Sequence, residues 1–461
     1  MKVFVVALIL TVCIGAKTGA IIGMTPEAVN SVLEDFLPQF SAQIQQGTFN
    51  DMHFPSVGKG SLTVDLDVYN LTIPVFNVDH KNSGVAFTSD RKIIFTLQDV
   101  TSTGNFNWKI SRGNLVQKGS TTVSIEKATF TIELTMKNSL NLEIIVSKCE
   151  FKISKFKAIL ADNSGSGMIN WVLEAVNAKL KDTLEIQISA LVKNVINGYV
   201  TKVNGFTEIE IADGLVVSVK LTEIPEIDTE HLKIAIEGLV KLKGMTYEFT
   251  IPDPVDLSFT TSQALQITVS EYSLNSALFT FHISKMLSFS TSSFDIGLNT
   301  NNVKNIFPGI DEQYGKKNID ISCQTSKNPL ISLDSQIVYS DVELACSMLV
   351  EEETDAVLVV STCVKSKAKV FMEELVVKGE FEEIVVNEIT LVSSELKNEP
   401  NLQGVKDLLN LSLKLGRKKI NEAVFGKGIT LPAEMSGFVD NLQISVNKGF
   451  ITVEGSPKYP N

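Results

Sequence analysis

The four histidines, His53, His80, His231 and His282, are the first residues to test for chemistry. Hydrolytic metal sites bring two imidazoles to one helix face through His-Glu-x-x-His, and structural zinc sites use paired Cys-x-x-Cys. Neither spacing occurs. No Gly-x-Ser-x-Gly elbow presents a nucleophile, and no P-loop or dinucleotide fingerprint opens a helix. Asn163-Ser164-Gly165-Ser166-Gly167 reads as a loop leading into a helix. The carboxylates of Glu351, Glu352, Glu353 and Asp355 would hold calcium only weakly, and a solvated turn accounts for them. The expectation is a protein that is not an enzyme, with no catalytic residue, no metal and no cofactor.

Sulfur adds little. Cys13 falls in an apolar N-terminal run, which leaves Cys149, Cys323, Cys346 and Cys363, and their pairing is open on sequence grounds. Cys346 and Cys363 flank the acidic run almost symmetrically, so they either bridge across a hairpin or stay as buried free thiols. Asn70-Leu71-Thr72 and Asn410-Leu411-Ser412 make Asn70 and Asn410 glycan acceptors where exposed.

Lys2, the apolar run Val3 to Ile14, then Gly15-Ala16 and Thr18-Gly19-Ala20 follow the order of a secretory leader. Cleavage is expected after Ala20, with Ala16 as the alternative, so the chain is expected to be secreted or to reach the lumen of the secretory pathway. The run is shorter than the roughly 20 residues of a membrane span, and the mature chain is expected to be soluble and monomeric. Hydrophobic residues make up 44% against 20% charged, with a mean hydropathy of +0.15. That surplus must enter large cores or cavities. The formal charge is −12. Residues 21–225 carry 18 basic and 21 acidic side chains, and residues 226–461 carry 21 and 32. Such a chain is not expected to bind nucleic acid, and any membrane contact must be transient and local or hydrophobic.

The elements that would position a site repeat. Thr25-Pro26-Glu27 opens a helix with Val29, Val32, Leu33, Phe36, Leu37, Phe40 and Ile44 at three- and four-residue steps. From about Val57 to Leu160 the period is two, as in an antiparallel meander of half-buried strands. A helix of about 30 residues, some 45–50 Å long, follows from Ile169 to Ile196. After more strands and the break at Pro252 and Pro254, the order recurs. A helix spans Tyr272 to Ile283, strands run from Leu287 to Val392, a second helix opens at Glu399-Pro400, and a final strand covers Leu442 to Val453. A sheet wrapped around an amphipathic helix encloses a long apolar interior. It is either a tunnel for an acyl chain or a side-chain core.

Several short stretches carry a resemblance. Val57-Gly58-Lys59-Gly60, Gly104-Asn105-Phe106-Asn107-Trp108-Lys109 and Lys241-Leu242-Lys243-Gly244 occur in the first half. Ser270-Glu271-Tyr272-Ser273-Leu274-Asn275-Ser276-Ala277, Ile306-Phe307-Pro308-Gly309 and Gly426-Lys427-Gly428-Ile429-Thr430-Leu431-Pro432 follow in the second. In this order the chain resembles the family of bactericidal permeability-increasing protein, lipopolysaccharide-binding protein and the plasma lipid-transfer proteins. The resemblance implies an α+β fold, an elongated boomerang of two pseudo-symmetric barrels. Each barrel is a twisted antiparallel sheet wrapped around a long helix, and a central sheet joins them. The implied division is a leader over 1–20, a barrel over 21–245, a linker and central-sheet segment over 246–264, and a second barrel over 265–461. Apolar pockets taking phospholipid-like acyl chains are implied too. The helix positions expected to contact lipid are Val29, Leu33, Phe36, Val172, Val176 and Leu180, with Leu402, Val405 and Leu409 in the second half.

Two departures qualify the likeness. The family's first-barrel disulfide joins a strand cysteine to one on the long helix. Cys149 matches the first place, but the helix place corresponds to Ser189, so that bridge is expected to be absent. The family's endotoxin-binding members carry dense Lys/Arg at the first-barrel tip, where this chain has Lys109, Arg112 and Lys118. The leading expectation is a secreted carrier of phospholipid or a similar amphipath. The alternatives are a defence protein reading bacterial lipopolysaccharide through those three cations, and a structural protein with filled barrels.

Overall fold

Period-two alternation over a hundred residues builds one long curled sheet. A computed structural model of the chain describes residues 18–31, 33–59, 62–140, 142–160, 167–204, 207–212, 214–246, 249, 251, 257, 263–290, 297–426, 428–430 and 439–457. Residues 1–17 of the leader, Val32, the loop residues Asn163 to Ser166, Pro252 and Pro254 lie outside these residues, as does most of 246–264.

The first half begins with β1 (Ala20–Met24), α1 (Pro26–Ser31) and α2 (Leu33–Gln45). The meander is β2 (Met52–Lys59), β3 (Leu62–Thr88), β4 (Lys92–Arg112), β5 (Leu115–Met136) and β6 (Ile144–Leu160), paired in that order. Along β4 the buried positions are Ile93, Phe95 and Leu97, then Val100, Ser102, Gly104, Phe106, Trp108 and Ile110. The phase shifts at a register break where Asp99 takes a φ of 48°. Such bulges bend a strand and let a long sheet curl.

The sheet curls around α3 (Gly167–Val203), whose 37 residues span about 55 Å. Val172, Val176, Leu180, Leu184, Ile188, Val192, Ile196 and Val200 recur every fourth residue, and all are buried. Each such step advances about 40° around the axis, so the stripe winds through roughly 280° along the helix. A winding stripe requires a wrapping partner, and the curled sheet supplies it. Between sheet and helices lies a four-ring cluster: Phe40 from α2, Phe76 from β3, Phe130 from β5 and Phe151 from β6. Its centroids stand 5.5–6.2 Å apart.

Then come β7 (Glu208–Ala212), β8 (Leu215–Ser218), β9 (Glu226–Ile227), β10 (Leu232–Ile236), β11 (Val240–Leu242), β12 (Leu265–Ser270) and α4 (Glu271–Ile283). The second half continues with β13 (Ser288–Ser290), β14 (Leu298–Asn299), α5 (Ile310–Tyr314), β15 (Asn318–Thr325), β16 (Leu330–Asp334), β17 (Ile337–Val350), β18 (Leu358–Glu373) and β19 (Val376–Ser394). It closes with α6 (Leu402–Phe425), β20 (Ile429–Thr430), β21 (Val439–Asn447) and β22 (Phe450–Pro457). The second curled sheet runs β13-β15-β17-β18-β19-β20 and packs on α6 around its own core.

A six-stranded sheet, β21-β22-β12-β1-β10-β9, draws on both halves, with β1 between β10 and β12. The polar face of α4 clamps the halves together. Ser273 Oγ donates to Gly19 O, Ser276 Oγ accepts from Val240 N, and the Asn275 amide takes both N–H and C=O of Ile331.

The single final strand expected over Leu442 to Val453 is two strands. Gly449, at a φ of 86°, turns the chain after Asn447, and β21 and β22 pair as a hairpin. Of the two readings open for Cys346 and Cys363, a bridge across the hairpin or free thiols, the bridge gives way, and of the pair only Cys363 is a free thiol. Cys346 stands opposite Val360 and Cys363 opposite Glu343, three residues out of register. Cys346 faces Cys323 directly on β15, and these two form the disulfide. Near-symmetry about the acidic run failed as a guide because the hairpin is centred on the run while the cysteines are not: Met348 pairs with Leu358, but Cys346 stands nearer the turn than Cys363. Lys317 pairs with Glu352 at 3.0 Å there.

Candidate functional site

Each long helix closes its sheet by the same device. An outer strand leaves N–H and C=O groups unpaired, and burying them unsatisfied is costly. On β6, Ile153 N donates to Glu185 Oε1 at 2.6 Å, Phe151 N to Ser189 Oγ at 2.9 Å and Ile144 N to Asn204 Oδ1 at 3.0 Å. From 185 to 204 a helix rises about 28 Å, and from 144 to 153 a strand covers about 30 Å. The lengths match, so helix and strand edge stay in step. On β19, Phe381 N donates to Asn421 Oδ1 at 2.9 Å and Val386 N to Asn410 Oδ1 at 2.8 Å. Arg417 donates to Glu382 O and Lys406 to Asn387 O, both at 2.8 Å.

Behind this second seam lies a narrow cleft that opens to solvent at its mouth. Its walls are Ile321 and Cys323 of β15, Leu344 and Cys346 of β17, Thr362 and Val364 of β18, and Val386 of β19. Leu409, Ser412, Leu413 and Ile420 of α6 complete them. The two hydroxyls are turned to backbone: Thr362 donates to Glu388 O and Ser412 to Leu408 O. The lining is therefore apolar, and it suits a hydrocarbon chain better than a polar solute.

Of the positions expected to touch lipid, Leu409 lines this cleft, while Val405 is buried nearby and Leu402 is half-buried on the same helix. Val29, Leu33, Val172, Val176 and Leu180 are buried in the first core. Phe36 lies on α2, and its side chain is outside the described residues. The cleft residues missed on the strands alternate in sequence, yet nothing in that alternation separates a cavity wall from a filled core.

At the first-barrel tip, Lys109 and Lys118 are cross-strand partners, and Arg112 borders the turn at Gly113-Asn114. Lys109 Nζ lies 3.2 Å from Asp67 Oδ2, and His53 Nδ1 lies 2.6 Å from Asp67 Oδ1. Those contacts, His53 foremost, hold the Asp67 carboxyl below its ordinary range. Arg112 and Lys118 are exposed beside exposed Leu115 and Val116, while Trp108 is buried against Gly119. Asn70 is exposed; the Asn410 side chain is engaged by Val386. Among the described residues no group of His, Cys, Asp and Glu is arranged to hold a metal ion, and no helix is long and apolar enough to cross a membrane.

Residues 209–459 match the family model of the LBP / BPI / CETP family, C-terminal domain. The structure is similar to the crystal structure of lipopolysaccharide binding protein, with a TM-score of 0.57 and 16% identity over 96% of this chain and 99% of that one. This likeness agrees with the expected fold class, two curled-sheet barrels joined by a central sheet. P47 from Clostridium botulinum A2 is 9% identical over 95% of this chain and 97% of its own, with a TM-score of 0.24. Takeout 1 of Epiphyas postvittana is 12% identical over 38% and 86%, with a TM-score of 0.23. No curated protein sequence matches the chain.

Proposed function

The chain belongs to the LBP / BPI / CETP family, and on that premise we propose that it binds phospholipid-like amphipaths without covalent chemistry. The observation that supports this most directly is the apolar cleft between α6 and four strands. Each methylene moved from water into such a lining is favourable by about 0.8 kcal/mol, and the headgroup stays at the mouth. The second barrel is the site we assign first. In the first barrel, Val172, Val176 and Leu180 already pack against protein side chains, so a ligand there must displace some of that packing. Titration with a fluorescent phospholipid tests the assignment. Leu413→Trp fills the cleft and should weaken uptake about tenfold, a loss of about 1.4 kcal/mol; uptake equal to wild type would remove the cleft from the account.

The tip favours a carrier over a lipopolysaccharide receptor, because Lys109, one of its three cations, is engaged by Asp67. Transient contact with membranes or lipid particles fits such a carrier.

For a secreted chain the structure favours leader cleavage after Ala16 rather than Ala20. Gly19 O accepts from Ser270 N, Ser270 Oγ and Ser273 Oγ, and Ala20 pairs with Ile236 and Val269. Cutting after Ala20 would remove those bonds and place an ammonium inside the sheet. Non-reducing peptide mapping of the secreted protein should find Lys17 first, a glycan at Asn70 and none at Asn410, and Cys323 linked to Cys346. An Ile21 terminus, or a Cys346–Cys363 peptide, would contradict this.

A further inference from the structure

Helix α6 carries three separate faces, and only two have partners in the fold. Leu409, Leu413 and Ile420 face the cleft. Lys406, Asn410, Arg417 and Asn421 face the edge of β19. At 100° per residue the remaining third collects Leu411, Lys414, Leu415 and Lys418 together with Asp407 and Glu422, and all six are exposed. Leu415 keeps 69% of its surface accessible and Leu411 53%, which is unusual for two leucines one turn apart on a soluble face.

Charge says what covers them. The chain is strongly acidic, and residues 226–461 carry most of the excess. Yet α6 holds five basic residues (Lys406, Lys414, Arg417, Lys418, Lys419) against two acidic ones, Asp407 and Glu422. On β19, Glu382 pairs with Lys369 and Glu383 with Lys367. Lys418 lies 4.0 Å from Glu422, an exposed pair that contributes little. Leucines flanked by lysines on an exposed helix face match the interface of a bilayer with anionic headgroups, where the apolar chains enter the acyl boundary and the ammonium groups meet phosphate.

We propose that the outer face of α6 docks the protein on an anionic phospholipid surface, through Leu411 and Leu415 with Lys414 and Lys418. The proposal rests on the cleft being a lipid site, and it gives that site a delivery route. The helix that forms the cleft wall is the helix that touches the surface, and the cleft is then one helix thickness from the bilayer.

The full-length protein is sedimented with phosphatidylcholine vesicles, with and without phosphatidylserine, at low and high salt. The variants are Leu411→Ser/Leu415→Ser and Lys414→Glu/Lys418→Glu, all at exposed positions where the fold is retained. A soluble fluorescent lysophospholipid, without vesicles, reads the cleft separately. Wild type should pellet with the phosphatidylserine vesicles, less so at high salt. Each double variant should lose about tenfold in vesicle affinity while binding the lysophospholipid as wild type does. Failure of wild type to bind these vesicles, or binding equal to wild type in both variants, overturns the proposal. If vesicle binding falls in the variants while no form binds the lysophospholipid, the docking stands and the cleft assignment fails.

Discussion

Phe130→Ala should lower the melting temperature of the first core on the order of 10 °C. Phe130 is fully buried, and its ring stands 6.0 Å from Phe40 and 5.5 Å from Phe151. Those partners come from α2 and β6, so this one side chain ties the sheet both to itself and to the covering helix. Truncating a buried Phe to Ala costs about 3–5 kcal/mol, combining lost transfer energy with the cavity left behind. The two ring contacts account for part of that sum. Phe371→Ala is the control, because that ring is 37% exposed near the end of β18 and its loss should cost far less. Calorimetry of the two variants checks the expectation, and equal melting temperatures would contradict it.

Ser189→Cys should form a disulfide with Cys149 and stabilise the first core by about 2–3 kcal/mol. Cys149 Sγ already donates to Ser189 O at 3.3 Å, across a sequence separation of 40. Closing a loop of that size restricts the unfolded chain by about 3–4 kcal/mol. Against it stands the bond from Phe151 N to Ser189 Oγ, which the variant loses at about 1 kcal/mol. Burial pushes the Cys149 thiol up to about 12, so little thiolate exists near neutral pH and the bond should form during oxidative folding rather than afterwards. The melting temperature should rise by about 5–10 °C and return to the native value with reductant. If Cys149 and the introduced thiol both stay reduced after oxidative folding of the variant, the two sites are not in bonding reach.

Much of this architecture was legible in the chain. The apolar recurrence from Ile169 to Ile196 marked the stripe of α3, which the structure carries one turn further to Val200, and alternation named the strands because each half-buried strand must obey the pleat. The place of Ser189 opposite Cys149, implied by family resemblance, is where the structure puts it. Three features escaped. The turn at Gly449 lay inside an alternating run and was read through, although the paired apolar positions pass from Ile444 and Val446 to Ile451 and Val453, a change of phase. The Cys323–Cys346 pair depends on the register of β15 against β17, which neither cysteine's neighbours encode. The polar contacts that close the sheets, through Glu185, Ser189, Asn410 and Asn421, look like ordinary solvated helix positions until the distant strand edge they serve is known. The cleft under α6 was invisible for a related reason: Leu413 and Ile420 have the same spacing whether they face protein or empty space.

Lipid held in this interior would be seen by mass spectrometry of an organic extract of the protein purified without detergent. The native protein should yield a co-purified phospholipid or related amphipath, and Leu413→Trp much less. An extract free of lipid, from a protein that also takes up no fluorescent phospholipid, would contradict it.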